Sequence, residues 1–309
     1  MMGKTYYAFV EQLRKEIMEA TGLDRTEIWF KQAEDDPKTE GDRLFVNFFG
    51  WEANNEVLAL HTEELFSSLD EGSSMEEIVR MIRKQYLEVK EAGYLERILD
   101  LSDYDKVCDD LFIRAISTEN NEKELENAVY CKVGDIALTV YFCVQNKDEN
   151  LVSMKILKPF VEKWGISEDE VYRKALQNAP RFLPPRFWNL EKMMFQPGYQ
   201  GEDFMTSESK YEIRDNVYGE CLSTLERRNG ATAIFLPGVA DRIAEMMGCG
   251  FYAVFTSIHE VMIHADHDMN ATDLHKVLDE ILQEMTKKEE FLTRKIYHYD
   301  PVMKKFTWK

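Results

Sequence analysis

The sequence predicts an α+β protein, with mixed or antiparallel sheets and flanking helices. Three observations lead there. The C-terminal third is patterned β-α-β-β-α-β with short hairpin connections, which argues against a doubly wound parallel sheet. Residues 128–144 are rich in β-branched and aromatic side chains, broken by Gly134-Asp135, and read as two short strands or one bent one. Elsewhere, apolar residues recur at helical spacing.

In chain order, Tyr6, Phe9, Val10, Leu13 and Ile17 mark a first helix over Thr5 to Thr21, stopped by Gly22. Glu27 to Gln32 and Arg43 to Phe49 read as strands around a polar loop. Ser74 and Glu77 form a capping box that opens a helix through Ile78, Met81, Ile82 and Tyr86. Asp103 to Ser117 reads as a third helix. After the strands at 128–144, helices are expected over Pro159 to Lys163 and Glu168 to Asn178, the second opened by Ser167 and Glu170. The proline-rich run from Pro180 to Arg186 is not compatible with a regular helix.

Thr232 to Leu236 is expected as a strand, followed by a helix over Val239 to Met247 up to Gly248. Phe251 to Thr256 and His259 to His264 are the next two strands, joined tightly at Ser257-Ile258. Asn270 caps a helix with Leu274, Val277, Leu278, Ile281, Leu282 and Met285 on one face, and Lys295 to Tyr299 forms a last strand. The expected organisation is an N-terminal α+β region over 1–125 and a C-terminal one over 126–309, with one integrated domain as the alternative.

Composition narrows the function classes. The net charge of −19 opposes direct binding to nucleic acid or to an anionic membrane, because both require a positive face. The longest apolar run, Ile136 to Val144, is too short to span a bilayer. The N-terminus runs straight into an amphipathic pattern and does not read as a signal peptide. The five cysteines are odd in number and widely spaced, without a Cys-x-x-Cys pair, so neither a disulfide scaffold nor a zinc ribbon is expected. The expected compartment is the cytoplasm, and no cofactor is expected. Of the 37 aromatic residues, Tyr6, Phe9, Phe45, Phe48, Phe49 and Trp51 gather near the N-terminus and are assigned mainly to core.

Five of the six histidines lie at or beyond residue 259, three of them between His259 and His267. His-Glu-x-x-His chelation needs a four-residue offset on a helix. His259 and His264 are five apart, about 140° around a helix or on opposite faces of a strand. Asp266 to Asn270 matches half of a calcium loop, but Ala271 stands where the turn glycine belongs and Val277 where the bidentate glutamate belongs. His264, Asp266 and His267 remain weak candidates for a transition-metal site, against the commoner reading of a solvated turn. Ser257, His259 and Glu260 have the residue types of a hydrolase, although catalytic triads are built by tertiary geometry and not by adjacency. Arg181 and Arg186 bracket the proline-rich bend as a candidate anion-binding fork, against the reading that they anchor the bend to acidic residues. Phosphate-loop, dinucleotide-binding and nucleophile-elbow signatures are absent.

The run Asn229 to Val239, then Ser257-Ile258-His259-Glu260-Val261, then Tyr297 to Asp300, resembles an uncharacterised bacterial family, the domain of unknown function numbered fifty-six eighty-eight. Met75 to Tyr86, Asp103 to Val144, and Lys163 to Ser167 continuing to Ala179-Pro180-Arg181 are similar to it as well, so the resemblance covers nearly the whole chain. After Val261 the chain departs from the family pattern, which ends that strand on a proline–aspartate or similar pair. A family-wide metal role for His264 and His267 is therefore not implied. The family carries no assigned activity.

Three functions are weighed. The leading one is a non-catalytic cytosolic protein acting through a protein partner, based on the missing catalytic signatures and the acidic surface. The second is a hydrolase-like enzyme, with or without a metal, using His259 and Glu260. The third is an acidic nucleic-acid mimic acting against a defence nuclease.

Overall fold

The structure is a computed structural model that describes residues 2–33, 41–47, 57–70, 72–91, 94–147, 150–206, 208–209, 211–213, 219–267 and 271–308. The architecture is α+β, with three mostly antiparallel sheets and flanking helices. The chain divides into two compact units, Met1–Leu101 and Ser102–Lys309.

In the first unit, helix α1 (Met2–Thr21) is followed by the antiparallel strands β1 (Ile28–Lys31), β2 (Arg43–Asn47) and β3 (Val57–His61), in that spatial order. Helices α2 (Thr62–Asp70), α3 (Met75–Glu91) and α4 (Tyr94–Leu99) complete it. The Ser74–Glu77 capping box forms as expected: the Glu77 amide donates to Ser74 Oγ at 3.2 Å, and the Ser74 amide donates to Glu77 Oε2 at 2.9 Å. The apolar stripe of α1 buries Phe9, Val10, Leu13 and Ile17 against Ile28, Leu44, Val46 and Leu60 of the sheet and Ile78 and Ile82 of α3. Phe45 stacks on Trp29 at 5.6 Å, and Tyr6 and Phe9 pack on Phe66. Phe48, Phe49 and Trp51 lie outside the described residues.

The second unit opens with a short helix α5 (Tyr104–Val107), then β4 (Leu111–Ser117) and a short helix α6 (Glu122–Leu125). The helix expected over Asp103 to Ser117 therefore ends after one turn. The reason is burial on both faces of β4, which hides the period-2 alternation that would have marked a strand. Strands β5 (Tyr130–Val133), β6 (Ile136–Lys147) and β7 (Asn150–Lys155) follow. The long β6 pairs with β4 along one edge and with β5 and β7 along the other. Ser102 to Leu125 thus belongs with the second unit, through β4. Gly134-Asp135 is the turn between β5 and β6. Gly134 has φ +65°, and a methyl group there would overlap the Tyr297 hydroxyl, so only glycine suits this turn.

Next come α7 (Lys158–Trp164) and α8 (Glu168–Phe182). Ser167 caps α8 by accepting from the Glu170 amide at 3.2 Å. Ser167→Ala is expected to cost about 1 kcal/mol, read as a lower midpoint in urea unfolding. Helix α8 runs past the expected stop and carries Pro180 within its last turn. The Asn178 side-chain amide explains its anchorage, donating to the carbonyls of Cys108 and Leu111 at 2.8 and 3.0 Å.

The remainder is β8 (Pro185–Trp188), α9 (Leu190–Phe195), β9 (Glu220–Thr224), α10 (Val239–Met247), β10 (Phe251–Ser257), β11 (Glu260–Ala265), α11 (Ala271–Glu284), β12 (Ile296–Asp300) and β13 (Lys305–Trp308). These strands form one antiparallel six-stranded sheet in the order β13-β12-β10-β11-β9-β8. Leu274, Leu278 and Leu282 of α11 pack on Val254 and Ile296 of this sheet, while Val277 and Met285 from the expected stripe are exposed. The Asn270 cap lies outside the described residues.

The expected strand over Thr232 to Leu236 is instead a buried 3-10 turn, Gly230–Phe235. Its amides close locally, Thr232 to the Asn229 carbonyl and Leu236 to that of Ala233. It bridges two sheets: Thr232 Oγ1 accepts from the Ala115 amide of β4 at 2.9 Å, and the Ala231 amide donates to the Ile258 carbonyl at 3.2 Å. Burial favours the apolar, β-branched composition that imitates a strand.

Candidate functional site

The turn between β10 and β11 carries the densest polar chemistry. Ser257 pairs with Glu260, leaving Ile258-His259 as the two turn residues. Several polar groups around it are hydrogen-bonded. The His259 amide donates to Ser257 Oγ at 3.0 Å, and the Ser223 hydroxyl of β9 donates to the His259 carbonyl at 2.7 Å. The Thr256 hydroxyl donates to Glu260 Oε1 at 2.8 Å. Asn229, in the left-handed region at φ 53°, presents its amide to His259 Nδ1 at 3.2 Å. Arg114 holds Asn229 in place by donating to its Oδ1 at 3.1 Å.

These contacts set the protonation of His259. An Nδ1 that accepts a hydrogen bond leaves the proton on Nε2, which lies 4.0 Å from Glu290 Oε1. Burial lowers the imidazole pKa from its usual value, and the Glu290 carboxylate opposes this. At neutral pH His259 is thus a neutral hydrogen-bond donor. Cys221 lies 3.7 Å from Glu260 Oε2, and burial together with that carboxylate raises its thiol pKa. It stays protonated, which removes it as a nucleophile.

His259 and Glu260 line one cleft of about 360 Å³, with Trp188, Cys221 and Ser223 in its walls and Glu226 and Arg227 beside them. Trp188 is fixed by its indole N–H, which donates to the Thr224 carbonyl at 3.0 Å, and the Arg227 guanidinium sits 5.2 Å over its ring. Leu190 and Met193 of α9 also line the cleft. On the same short helix, Leu190, Met194 and Phe195 are 66%, 76% and 75% exposed.

The other expected residues are placed apart. The Ser257 hydroxyl serves the turn and is not among the cleft-lining residues. Arg181 pairs with Asp110 at 3.0 Å, donates to the Asp109 carbonyl and lies over the Phe182 ring. Arg186 pairs with Asp203 at 3.2 Å and donates to the Pro185 carbonyl. The two arginines thus anchor their bend to acidic neighbours, and neither lines the cleft. His264 is 7% exposed at the far end of β11, and burial pushes its pKa down to about 4. Asp266 and His267 come together with Cys249, without His264.

Sequence reasoning missed Trp188, Cys221, Ser223, Arg227 and Asn229. Only Asn229-Gly230 carried a local signal, as a turn dipeptide. The rest reach the site by the pairing of β11 with β9 and of β9 with β8.

Fold and cleft together define an α+β protein with a mixed polar and apolar surface cleft at one hairpin turn. The chain belongs to DUF5688, a family of unknown function whose model matches residues 6–301. Comparison with curated proteins and with solved structures found no match. Two of the segments that carried the resemblance meet at the hairpin: Asn229 and Ala231 bond to His259 and Ile258. Among the described residues, no helix is long and apolar enough to cross a membrane.

Proposed function

We propose that this chain is a non-catalytic cytosolic protein that acts by binding a protein partner at the cleft beside His259. The observation that carries this reading is that α9, whose Leu190 and Met193 line the cleft, also leaves Leu190, Met194 and Phe195 largely exposed. Apolar side chains clustered beside a polar-walled cleft are the usual anatomy of a docking surface. The partner's chemistry follows from charge. Among the lining residues Glu226 and Glu260 outnumber Arg227, whose guanidinium is already seated over Trp188, in a chain with net charge −19. An amphipathic segment with an apolar anchor and a basic side chain suits both.

The enzyme reading uses the same cleft. It needs His259 as a base, whereas Nδ1 already accepts from Asn229 and Nε2 carries the proton. Cys221 stays a thiol, and Ser257 is bonded to the turn amide. Mimicry of nucleic acid would call for rows of carboxylates. Instead Asp109, Asp110, Glu124 and Glu202 are paired with Lys174, Arg181, Lys155 and Lys192, a pattern that supports solubility.

The test is a quantitative capture from the native lysate with wild-type chain and with a Met194→Asp, Phe195→Ser double variant. Both side chains are mostly exposed, so the thermal midpoint is expected to stay unchanged. One protein is expected to be recovered stoichiometrically by wild type and bound about thirtyfold more weakly by the variant, equivalent to a hot spot of about 2 kcal/mol. Equal recovery by the two chains, or background proteins alone alongside a monomer in light scattering, would overturn the reading.

A further inference from the structure

The open end of the β10–β11 hairpin gathers a second set of chemical groups. Beyond the Phe251–Ala265 pair, the Asp266 amide donates to the Gly250 carbonyl at 3.1 Å, so the two chains stay together past the strand ends. One residue further out on each side stand Cys249 and His267. The Cys249 sulfur, an Asp266 carboxylate oxygen and a His267 ring nitrogen all lie within 4.8 Å of one another. Tetrahedral ligands around a zinc-sized ion lie about 3.3–3.6 Å apart, as follows from bond lengths near 2.0–2.3 Å. Side-chain adjustment of about 1 Å brings the three onto one ion.

A second observation concerns the support of Asp266. His298 Nε2 lies 3.0 Å from Asp266 Oδ2, which fixes the carboxylate and leaves its other oxygen to coordinate. Gly250 makes room for this pair. A methyl group at Gly250 would overlap Asp266 Oδ2 and come within 3.1 Å of His298 Nε2 and 2.8 Å of the Tyr299 carbonyl. The cluster is also accessible: Cys249 and Asp266 are half-buried and His267 is exposed.

We propose that Cys249, Asp266 and His267 bind one divalent ion of the zinc, cobalt and nickel class, with His298 orienting Asp266. A sulfur, a nitrogen and an oxygen donor select such borderline ions over calcium or magnesium, which take all-oxygen shells. Three protein ligands leave a fourth position for water or for a donor from outside. The site differs from the set expected from sequence, because Cys249 takes the place of His264.

The test uses the full chain, reduced, metal-stripped and free of any affinity tag, titrated with cobalt(II) alone. The expected result is one equivalent bound, with a sulfur-to-cobalt charge-transfer band that zinc displaces. Cys249→Ser is expected to abolish the band, His267→Gln and Asp266→Asn to weaken cobalt binding at least tenfold, and His298→Gln to weaken it about tenfold. Cys221→Ser and His264→Gln are expected to leave the band unchanged. If Cys249→Ser does not fold, zinc stoichiometry of His267→Gln by elemental analysis decides, since that side chain is exposed. A wild-type chain with no charge-transfer band at one equivalent, a band retained in Cys249→Ser, or full zinc in His267→Gln would each overturn the proposal.

Discussion

Gly230→Ala is expected to destabilise the second unit by about 4 kcal/mol. Gly230 is buried at the start of the 3-10 turn, beneath the hairpin that carries His259. A methyl group there would overlap the His259 carbonyl oxygen and the Ser223 hydroxyl, and would lie 2.7 Å from Ser223 Cα. Two of these three atoms belong to backbone, so no flexible side-chain end can simply swing aside. Overpacking of this kind costs about 1–3 kcal/mol. The Ser223–His259 hydrogen bond of 2.7 Å would break as well, and its buried groups would lose about 1–3 kcal/mol when left unpaired. Urea unfolding followed by tryptophan fluorescence measures this, since Trp164, Trp188 and Trp308 report on the second unit. Gly165→Ala is the comparison. Gly165 has φ +68° and nothing within 4 Å of an added methyl group, so backbone strain alone costs about 1 kcal/mol. Equal losses at the two sites would show that close approach at Gly230 is not the cause.

The second large effect is a loss of stability in acid that traces to His264. This side chain is 7% exposed, and its Nδ1 has no hydrogen-bond partner among the described residues. Burial without compensation disfavours the imidazolium and places the folded pKa at about 4, against the usual 6.5 of a free histidine. Above pH 6.5 both folded and unfolded chains hold His264 neutral. Between 6.5 and about 4 the unfolded chain takes up the proton and the folded chain does not. Stability therefore falls as pH falls through this window, by about 3 kcal/mol in all, and levels off below it. His259, whose pKa is also lowered, acts in the same direction. Denaturant midpoints of wild type and His264→Phe between pH 7.5 and 4 provide the measurement. The variant is expected to lose about 3 kcal/mol of pH dependence, whatever its absolute stability. Parallel curves for the two chains would refute the assignment to His264.

Much of the fold was legible because local rules repeat along the chain. Helix α10 has the bounds its proline and glycine imply, and α3 and α8 begin at Ser74 and Ser167, whose capping bonds form. The strands around Gly134-Asp135 were legible for the same reason: a turn pair separates two β-rich runs. Two misreadings share one cause. Residues 111–117 and 230–235 are mostly buried, with buried residues next to one another in sequence. Burial of consecutive residues weakens the periodicity that tells strand from helix. Strands β3, β7, β8, β9 and β13 also went unread.

The candidate site was half legible. His259 and Glu260 stood out by type, and both line the cleft. Ser257, Arg181 and Arg186 stood out equally, yet their polar atoms go to a turn amide and to Asp109, Asp110 and Asp203. Residue type cannot reveal which hydrogen bonds a side chain will make, since its partners are chosen by the fold. The hydroxyl and amide that define His259 come from Ser223 and Asn229, 36 and 30 residues away.

The sequence by itself determined the α+β class, the four longest helices, the acidic net charge and the family. These follow from spacing, caps and composition, which act over a few residues or over the whole chain at once. Only the tertiary structure decided that His259 is a neutral donor in one cleft with Leu190 and Met193, and that Cys249 rather than His264 joins Asp266 and His267. Such groupings depend on strand register and turn geometry, where one residue of slip would exchange the faces of a strand and separate every one of these neighbours.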